Sequence, residues 1–190
     1  DLAISNKANA GVAAGRVTEL TGMEGSGKSL IGSQILASTQ KMGGIAVYID
    51  TESAVSIDFL RILGVDVDKL IYIQLETIEE IYETIEKLIA SIRESDKKKL
   101  VTILVDSMSA ATTEMEQEAD YTRDGWSTGK AIINSKAMRK ITNLIAKERI
   151  ALILTNQLRT KLGISFGDNK CVDPYTTKIK IRYKMKQETK

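Results

Sequence analysis

The stretch 15-GRVTELTGMEGSGKS-29 decides how this chain is expected to fold. Residues 16–20 predict a strand, residues 22–29 match the pattern GxxxxGK(S/T), and a predicted helix begins at Ser29. In such a loop the glycines let backbone N–H groups turn toward phosphate groups, and the helix N-terminus adds positive potential. The order of strand, loop and helix therefore predicts a P-loop that binds the phosphate groups of a nucleotide together with Mg²⁺.

Each position of this loop has an expected role. Lys28 is expected to reach the β and γ phosphates, and the Ser29 hydroxyl to ligate Mg²⁺. The remaining phosphate contacts are expected from the loop residues Gly22, Gly25, Ser26 and Gly27. A chance glycine-rich turn is the alternative, and the strand and helix that flank the motif argue against it.

Acidic residues follow two more predicted strands. The apolar run 100-LVTILV-105 ends at Asp106, which is the expected place for a carboxylate that holds magnesium, although an Asp there can also be only a turn or helix cap. Asp50 and Glu52 follow the run 45-IAVYI-49, so one of them could polarise an attacking water. Spacing alone leaves open which of the two does so, or whether either only caps the next helix.

Outside these motifs the chain alternates between predicted strands and helices. The strands are expected at 16–20, 45–49, 71–75, 100–105 and 150–155, and the helices at 29–42, 56–63, 77–93 and about 128–147. This alternation predicts an α/β fold with a mainly parallel sheet flanked by helices, and ligands at the carboxyl ends of its strands. Two polar stretches, 112–130 and 158–170, follow strand ends and are candidate functional loops.

Composition limits the class of protein. The chain has 190 residues, of which 43% are hydrophobic and 27% charged, with 13 Gly and 1 Pro, so collagen-like and disordered classes are excluded. Its apolar runs are shorter than the roughly 20 residues of a membrane helix, so no membrane partner is expected. Histidine is absent, which excludes Ser/His and Cys/His catalytic pairs within the chain. The single cysteine, Cys171, fits a reducing compartment, and a cytoplasmic location is expected.

Six short segments in order resemble the RecA/UvsX-like recombinase ATPases of bacteria and phages, over residues 15–169. The segments are 15-GRVTELTGMEGSGKS-29, 49-IDTES-53, 61-RILGVDVDKL-70, 103-ILVDSMSA-110, 136-KAMRKIT-142 and 155-TNQLRTKLGISFGD-168. The resemblance implies a RecA-like P-loop NTPase that binds and hydrolyses ATP and acts in DNA recombination and repair by strand exchange. It also implies single-stranded DNA and a homo-oligomeric filament as partners.

The same resemblance implies roles for individual residues. Glu52 corresponds to the catalytic carboxylate that activates water, and Asp106 to the carboxylate that coordinates Mg²⁺ directly or through water. Gln157 corresponds to the family's γ-phosphate sensor. Phe59 falls where the family has an aromatic ring against the adenine, and a core aromatic is an equal alternative. Ser56 stands where many relatives carry Asp near the adenine, which leaves base selectivity open.

In this family the two polar loops line the filament axis and bind single-stranded DNA. Side chains suited to phosphate contacts and base stacking are Arg123, Trp126 and Lys130 in the first loop, and Arg159, Lys161 and Phe166 in the second. The first loop also carries several acidic residues, so charge alone does not select it. The DNA-binding prediction therefore depends on the resemblance.

The last segment, 171-CVDPYTTKIKIRYKMKQETK-190, departs from the recombinase pattern within the second loop, where the core is expected to be truncated. Basic and apolar residues alternate from 178 to 186, which predicts a β-like tail. A Cys followed by a Pro-containing turn and a strand resembles the N-terminal block of an intein, here a short split-intein segment. The expected domains are therefore 1–170, a RecA-like ATPase core fragment or N-terminal extein, and 171–190, the split-intein segment.

The intein resemblance implies protein trans-splicing. The catalytic residue would be Cys171, whose thiol attacks the carbonyl of Lys170 once a complementary polypeptide, carrying the remaining intein and recombinase sequence, pairs with the tail strand. Two alternatives stay open. The chain could be a stand-alone RecA-fold regulatory ATPase with a basic interaction tail and no splicing, or the tail could be only a basic edge strand.

Overall fold

The computed structural model describes residues 11–117, 127–160, 170–172 and 182–184, with side chains at 11–117 and 130–158. The strands are β1 (Arg16–Gly22), β2 (Ile45–Asp50), β3 (Ile71–Gln74), β4 (Val101–Asp106), β5 (Ala151–Thr160), β6 (Lys170–Val172) and β7 (Arg182–Lys184). The helices are α1 (Lys28–Lys41), α2 (Ile57–Ile62), α3 (Ile78–Ser95), α4 (Glu114–Gln117) and α5 (Ser127–Glu148), with a 3₁₀ turn at Val67–Lys69. Among the described residues, no helix is long and apolar enough to cross a bilayer.

The strands form one sheet in the order β3-β2-β4-β5-β1-β7, and β6 pairs with β5. All pairs within the ordered path are parallel, whereas β6 runs antiparallel to β5. The prediction of an α/β fold with a mainly parallel sheet is thereby confirmed. Because the strands are parallel, the carboxyl ends of β1, β2, β4 and β5 meet at one edge of the sheet.

Alternation along the central strands covers both faces of the sheet with apolar side chains. On one face, Ile103 and Val105 of β4 belong to a core that includes the apolar stripe of α3 and residues of α5. On the other face, Leu104 packs with Tyr48 of β2 and Leu36 of α1. Burial on both faces explains why these strands read as nearly continuous apolar runs.

Helix α1 lies unusually close to the sheet. A Cβ atom at Gly32 would be 2.8 Å from both methyl carbons of Leu104, a distance that real Cβ contacts do not show. Any side chain larger than hydrogen at this position would therefore force Leu104 or α1 to shift. The close approach sets the position of the helix N-terminus relative to the end of β4.

The described parts of the tail belong to the sheet. Strand β6 crosses the predicted boundary between Lys170 and Cys171 and pairs with β5. Strand β7 is parallel to β1, with Tyr183 opposite Leu20. The tail was predicted to form a strand that pairs with a partner chain, and in this structure the described strand pairs with β1 of the same chain.

Candidate nucleotide-binding site

A cavity of about 310 Å³ opens at the carboxyl edge of the sheet, between the P-loop, β2, α2 and β4. The structure brings seven predicted site residues together in its lining: Gly25, Lys28, Ser29, Glu52, Phe59, Asp106 and Gln157. Ser56, which precedes α2, also lines the cavity. These residues come from five separate parts of the sequence, and the parallel sheet gathers them at one edge.

The P-loop has the backbone conformation that a phosphate cradle requires. Gly25 and Gly27 have φ angles of 68° and 84°, which L side chains rarely adopt. A Cβ atom at Gly22 would lie 2.4 Å from Ser26 Oγ, so the loop closes tightly on itself. The Ser26 hydroxyl is buried without a hydrogen-bond partner among the described atoms. No side chain caps the N-terminus of α1, so its first N–H groups remain donors for an anion.

Lys28 places a cation beneath this loop. Its side chain is largely buried, and Nζ donates to the carbonyl oxygens of Gly22 at 3.2 Å and Met23 at 2.9 Å. Burial lowers the pKa of Lys28, and the nearby charges of Asp106, Glu52 and Glu24 oppose that shift. A lysine ammonium group in this position is suited to a phosphate because it is a compact charge with several donors.

Strand register places the acidic residues beside the loop. Asp50, the last residue of β2, lies opposite Asp106, the last residue of β4. Alternation puts both side chains on the face that carries Tyr48, and this is the face covered by α1. The two carboxylates therefore project toward the P-loop and away from α3.

Asp106 is held by two hydroxyl groups. Tyr48 OH donates to Oδ2 at 2.8 Å, and Thr155 Oγ1 donates to Oδ1. The peptide bond between Asp106 and Ser107 is cis. Each carboxylate oxygen has two lone pairs, so Asp106 can still offer an oxygen ligand to Mg²⁺ or to its water.

Asp50, the other carboxylate considered from spacing, has a different environment. The side chain is 3% exposed, and its Oδ1 accepts the backbone N–H groups of Glu52 and Ser53, both at 2.9 Å. Its Oδ2 accepts Tyr72 OH at 2.7 Å and the N–H of Val55 at 3.4 Å. Asp50 therefore anchors the loop after β2, and these donors occupy the oxygens that a general base would need.

Glu52 is exposed and lines the cavity. Its Oε1 accepts Ser107 Oγ at 2.8 Å, and that hydroxyl lies 2.9 Å from Ser109 Oγ. The contact orients one carboxylate oxygen, and the other oxygen is available for a water molecule. This arrangement favours Glu52 over Asp50 as the carboxylate that accepts a proton.

Sequence reasoning missed five residues that take part in orienting the carboxylates. Tyr48, Tyr72 and Thr155 looked like ordinary strand residues, and Ser107 and Ser109 like parts of a turn. The available signal was position, since the serines lie one and three residues after Asp106 and both tyrosines precede a strand end. That signal does not indicate which atoms meet.

Gln157 and its neighbour connect the cavity to β5. The Gln157 backbone N–H donates to Asn156 Oδ1 at 3.0 Å, and Asn156 Nδ2 donates to Glu19 Oε1 on β1 at 3.0 Å. These bonds hold the strand where Gln157 enters the cavity wall. Phe59, on α2, is half-buried and also lines the cavity.

Two of the six predicted DNA-binding residues, Lys130 and Arg159, lie in the described part of the structure. Lys130 lies on α5, where Nζ donates to the carbonyl oxygen of Ala111. Arg159 lies in β5 opposite Cys171 of β6, and both are placed by their backbones alone. The other four candidates lie outside the described residues: Arg123, Trp126, Lys161 and Phe166.

Comparison with known proteins identifies one matching family and several similar proteins. The RecA N-terminal domain family model matches residues 2–183. Protein RecA of Clostridium acetobutylicum is 40% identical over 158 residues, which cover 83% of this chain and 43% of that protein. Protein RecA of Herpetosiphon aurantiacus is 39% identical over the same length, and that of Citrifermentans bemidjiense 37%. The chain spans less than half the length of these relatives.

The effect of substitutions on the free energy of unfolding can separate the roles of Asp50 and Glu52, the two carboxylates at and just after the end of β2. Asp50→Asn replaces Oδ1 or Oδ2 by an amide nitrogen that cannot accept a hydrogen bond, so a buried donor loses its partner. We expect the free energy of unfolding to fall by about 1–3 kcal/mol. Glu52→Gln is the matched control and should change it by less than about 0.5 kcal/mol, because Glu52 is exposed. Urea denaturation measures both, and equal losses would contradict the anchoring role.

Proposed function

This chain belongs to the RecA family, in the region of its N-terminal domain, and on that premise we propose that it is the nucleotide-binding core of an ATP-dependent DNA recombinase. One observation supports the proposal most directly. The P-loop with Lys28, the strand-end Asp106 and the exposed Glu52 line one cavity, although they are far apart in the sequence. A phosphate cradle, a metal-holding carboxylate and a proton acceptor are the parts that phosphoryl transfer to water requires.

Each part would act by positioning and charge. The loop N–H groups and Lys28 would bind the phosphates of ATP, and Ser29 and Asp106 would hold Mg²⁺. Bound Mg²⁺ would supply positive charge that neutralises the phosphate oxygens. Glu52 would orient the attacking water and accept its proton.

Two further side chains would sense or select the nucleotide. Gln157 would contact the γ-phosphate, and its place on β5 in the cavity wall would relay the nucleotide state to the polar segment after that strand. Phe59 would pack against the adenine base, beside Ser56. Both assignments rest on the family resemblance and on the place of these residues in the lining.

Single-stranded DNA and further copies of the assembled protein are the proposed macromolecular partners. The candidate DNA contacts are Arg123, Trp126, Lys130, Arg159, Lys161 and Phe166. Support comes from the family and from the sequence, in which the candidates belong to the polar stretches 112–130 and 158–170. The basis for the filament is family membership.

We also propose that residues 171–190 are a split-intein segment that takes part in protein splicing. Cys171 would attack the carbonyl carbon of Lys170 when a complementary polypeptide is bound. A C–S thioester bond would form, the C–N peptide bond would break, and the Cys171 nitrogen would take the proton that the thiol loses. The acyl group would then pass to a nucleophile on the partner's downstream segment, with the Cys171 sulfur leaving as the thiol. Cleavage of the bond between that segment and the partner's intein sequence would release the joined recombinase. Support comes from the sequence alone: a lone cysteine, a predicted Pro-containing turn and a predicted strand directly after the last of the six recombinase-like segments.

Two observations favour the alternative without splicing. The family match continues to residue 183, and β7 pairs with β1 inside the sheet. In that case residues 171–190 would be part of the fold, and the chain would be a RecA-fold regulatory ATPase with a basic tail. The two possibilities differ in whether the bond between Lys170 and Cys171 ever breaks.

Nucleotide binding is tested by Lys28→Ala. Loss of the buried ammonium group should weaken ATP binding about 10- to 100-fold, because hydrogen bonds to charged groups contribute about 1.5–3 kcal/mol. Calorimetry with ATP and Mg²⁺ measures the change. Lys41→Ala, at the far end of α1, is the control and should bind like the unmodified chain. Unchanged affinity in a folded Lys28→Ala protein would refute the site.

Hydrolysis is tested separately by Glu52→Gln. The amide oxygen can accept a hydrogen bond but cannot take a proton from water, so ATP binding should persist while turnover falls at least about 100-fold. The measurement is phosphate release by the recombinase completed with its partner segment and single-stranded DNA. Normal turnover would assign the proton transfer to another group.

Splicing is tested by Cys171→Ala. The chain is mixed with a polypeptide that begins with intein sequence and continues into recombinase sequence, and mass spectrometry follows the products. We expect a new peptide bond at Lys170, release of residues 171–190, and tighter single-stranded DNA binding by the joined product at matched salt. Cys171→Ala should abolish joining, whereas Thr177→Ala should retain it. The same joined product from Cys171→Ala would refute splicing at this residue.

A further inference from the structure

We propose that Tyr48 is a positioning residue for the magnesium-holding carboxylate Asp106, an inference that rests on the proposed ATP site. Tyr48 lies within a strand and looks like a core residue in the sequence. Its ring does belong to the core beneath α1, but its hydroxyl group reaches the carboxylate at the cavity edge.

The geometry fixes Asp106 from two sides. Tyr48 OH donates to Oδ2 at 2.8 Å and Thr155 Oγ1 donates to Oδ1, so the plane of the carboxylate is defined. The remaining lone pairs are then directed by these two bonds. An Asp106 side chain with only one of these donors could turn about its terminal bond and change the direction in which it offers an oxygen to Mg²⁺.

Tyr48 is suited to this role because its position does not vary easily. The residue is 1% exposed, and its ring centroid lies 5.9 Å from that of Tyr72. Close packing fixes the ring, and the hydroxyl group at its end donates to Asp106.

A residue that hydrogen-bonds to a metal ligand affects metal binding although it does not touch the metal. Groups that orient a ligand by hydrogen bonding change metal affinity about 10- to 100-fold when they are removed. Tyr48 should therefore alter the Mg²⁺ requirement for ATP binding. It should not alter the contacts that the P-loop makes with the phosphates.

The test is Tyr48→Phe, which removes the hydroxyl group and keeps the ring. ATP binding to the 190-residue chain is measured by calorimetry as a function of Mg²⁺ concentration, and once more with excess EDTA. We expect the Mg²⁺ concentration for half-maximal binding to rise about tenfold or more. Affinity in EDTA should stay within about twofold, which also reports that the cavity is folded.

Tyr82→Phe is the matched control. Tyr82 is also buried, and its hydroxyl group donates to Asn134 Oδ1 at 2.6 Å between α3 and α5, away from the cavity. This variant loses a buried hydroxyl hydrogen bond of the same kind, so its Mg²⁺ requirement should match that of the unmodified chain. Its thermal unfolding shows how much a general loss of stability contributes.

The outcomes separate the inference from the proposed function. If the unmodified chain does not bind ATP, or binds it without any help from Mg²⁺, the proposed function fails. If it binds with Mg²⁺ and Tyr48→Phe has the same Mg²⁺ requirement, only the role of Tyr48 is refuted. Equal weakening in EDTA and in Mg²⁺ would also refute it, because Tyr48 would then support the cavity as a whole.

Discussion

The parallel register of β1, β5, β4 and β2 is the constraint on which the site depends. It sets Asp50 opposite Asp106 and Thr155 opposite Leu20, so strand ends that are distant in sequence meet at one edge. Side-chain alternation then selects the face, and the contact between Gly32 and Leu104 brings the start of α1 down onto it. A shift of one residue in β4 would turn Asp106 toward α3 and remove it from the cavity.

Hydrogen bonding gives chemically identical groups different tasks within this frame. Asp50 and Asp106 are both carboxylates at strand ends, yet Asp50 is surrounded by backbone donors and Asp106 by two hydroxyl groups. The first arrangement holds a loop, and the second leaves lone pairs for a ligand. Glu52 is placed by the loop that Asp50 anchors, so the position of the proposed proton acceptor depends on a second, buried carboxylate.

Periodic and local features were predictable, whereas contacts between distant residues were not. The α/β fold, its central strands and helices, and the P-loop followed from alternation and a contiguous motif. Strand β5 continues past its predicted end at residue 155, because Gln157 pairs with Gly22 of β1 and Leu158 with Val172 of β6. The hydrogen bond from Tyr48 to Asp106 joins residues on different strands, and no local pattern encodes it.

The edge of β1 connects the nucleotide site with the question of splicing. One side of β1 pairs with β5, and the other side pairs with β7 in register with Glu19, Leu20 and Thr21. An unpaired strand edge exposes backbone donors and acceptors that can pair with other chains. A further strand or another segment is therefore needed to cover this edge of β1. Splicing would remove residues 182–184, and the incoming segment would then have to supply a strand beside β1. Since the P-loop begins where β1 ends, the occupant of this edge also supports the strand from which the phosphate cradle extends.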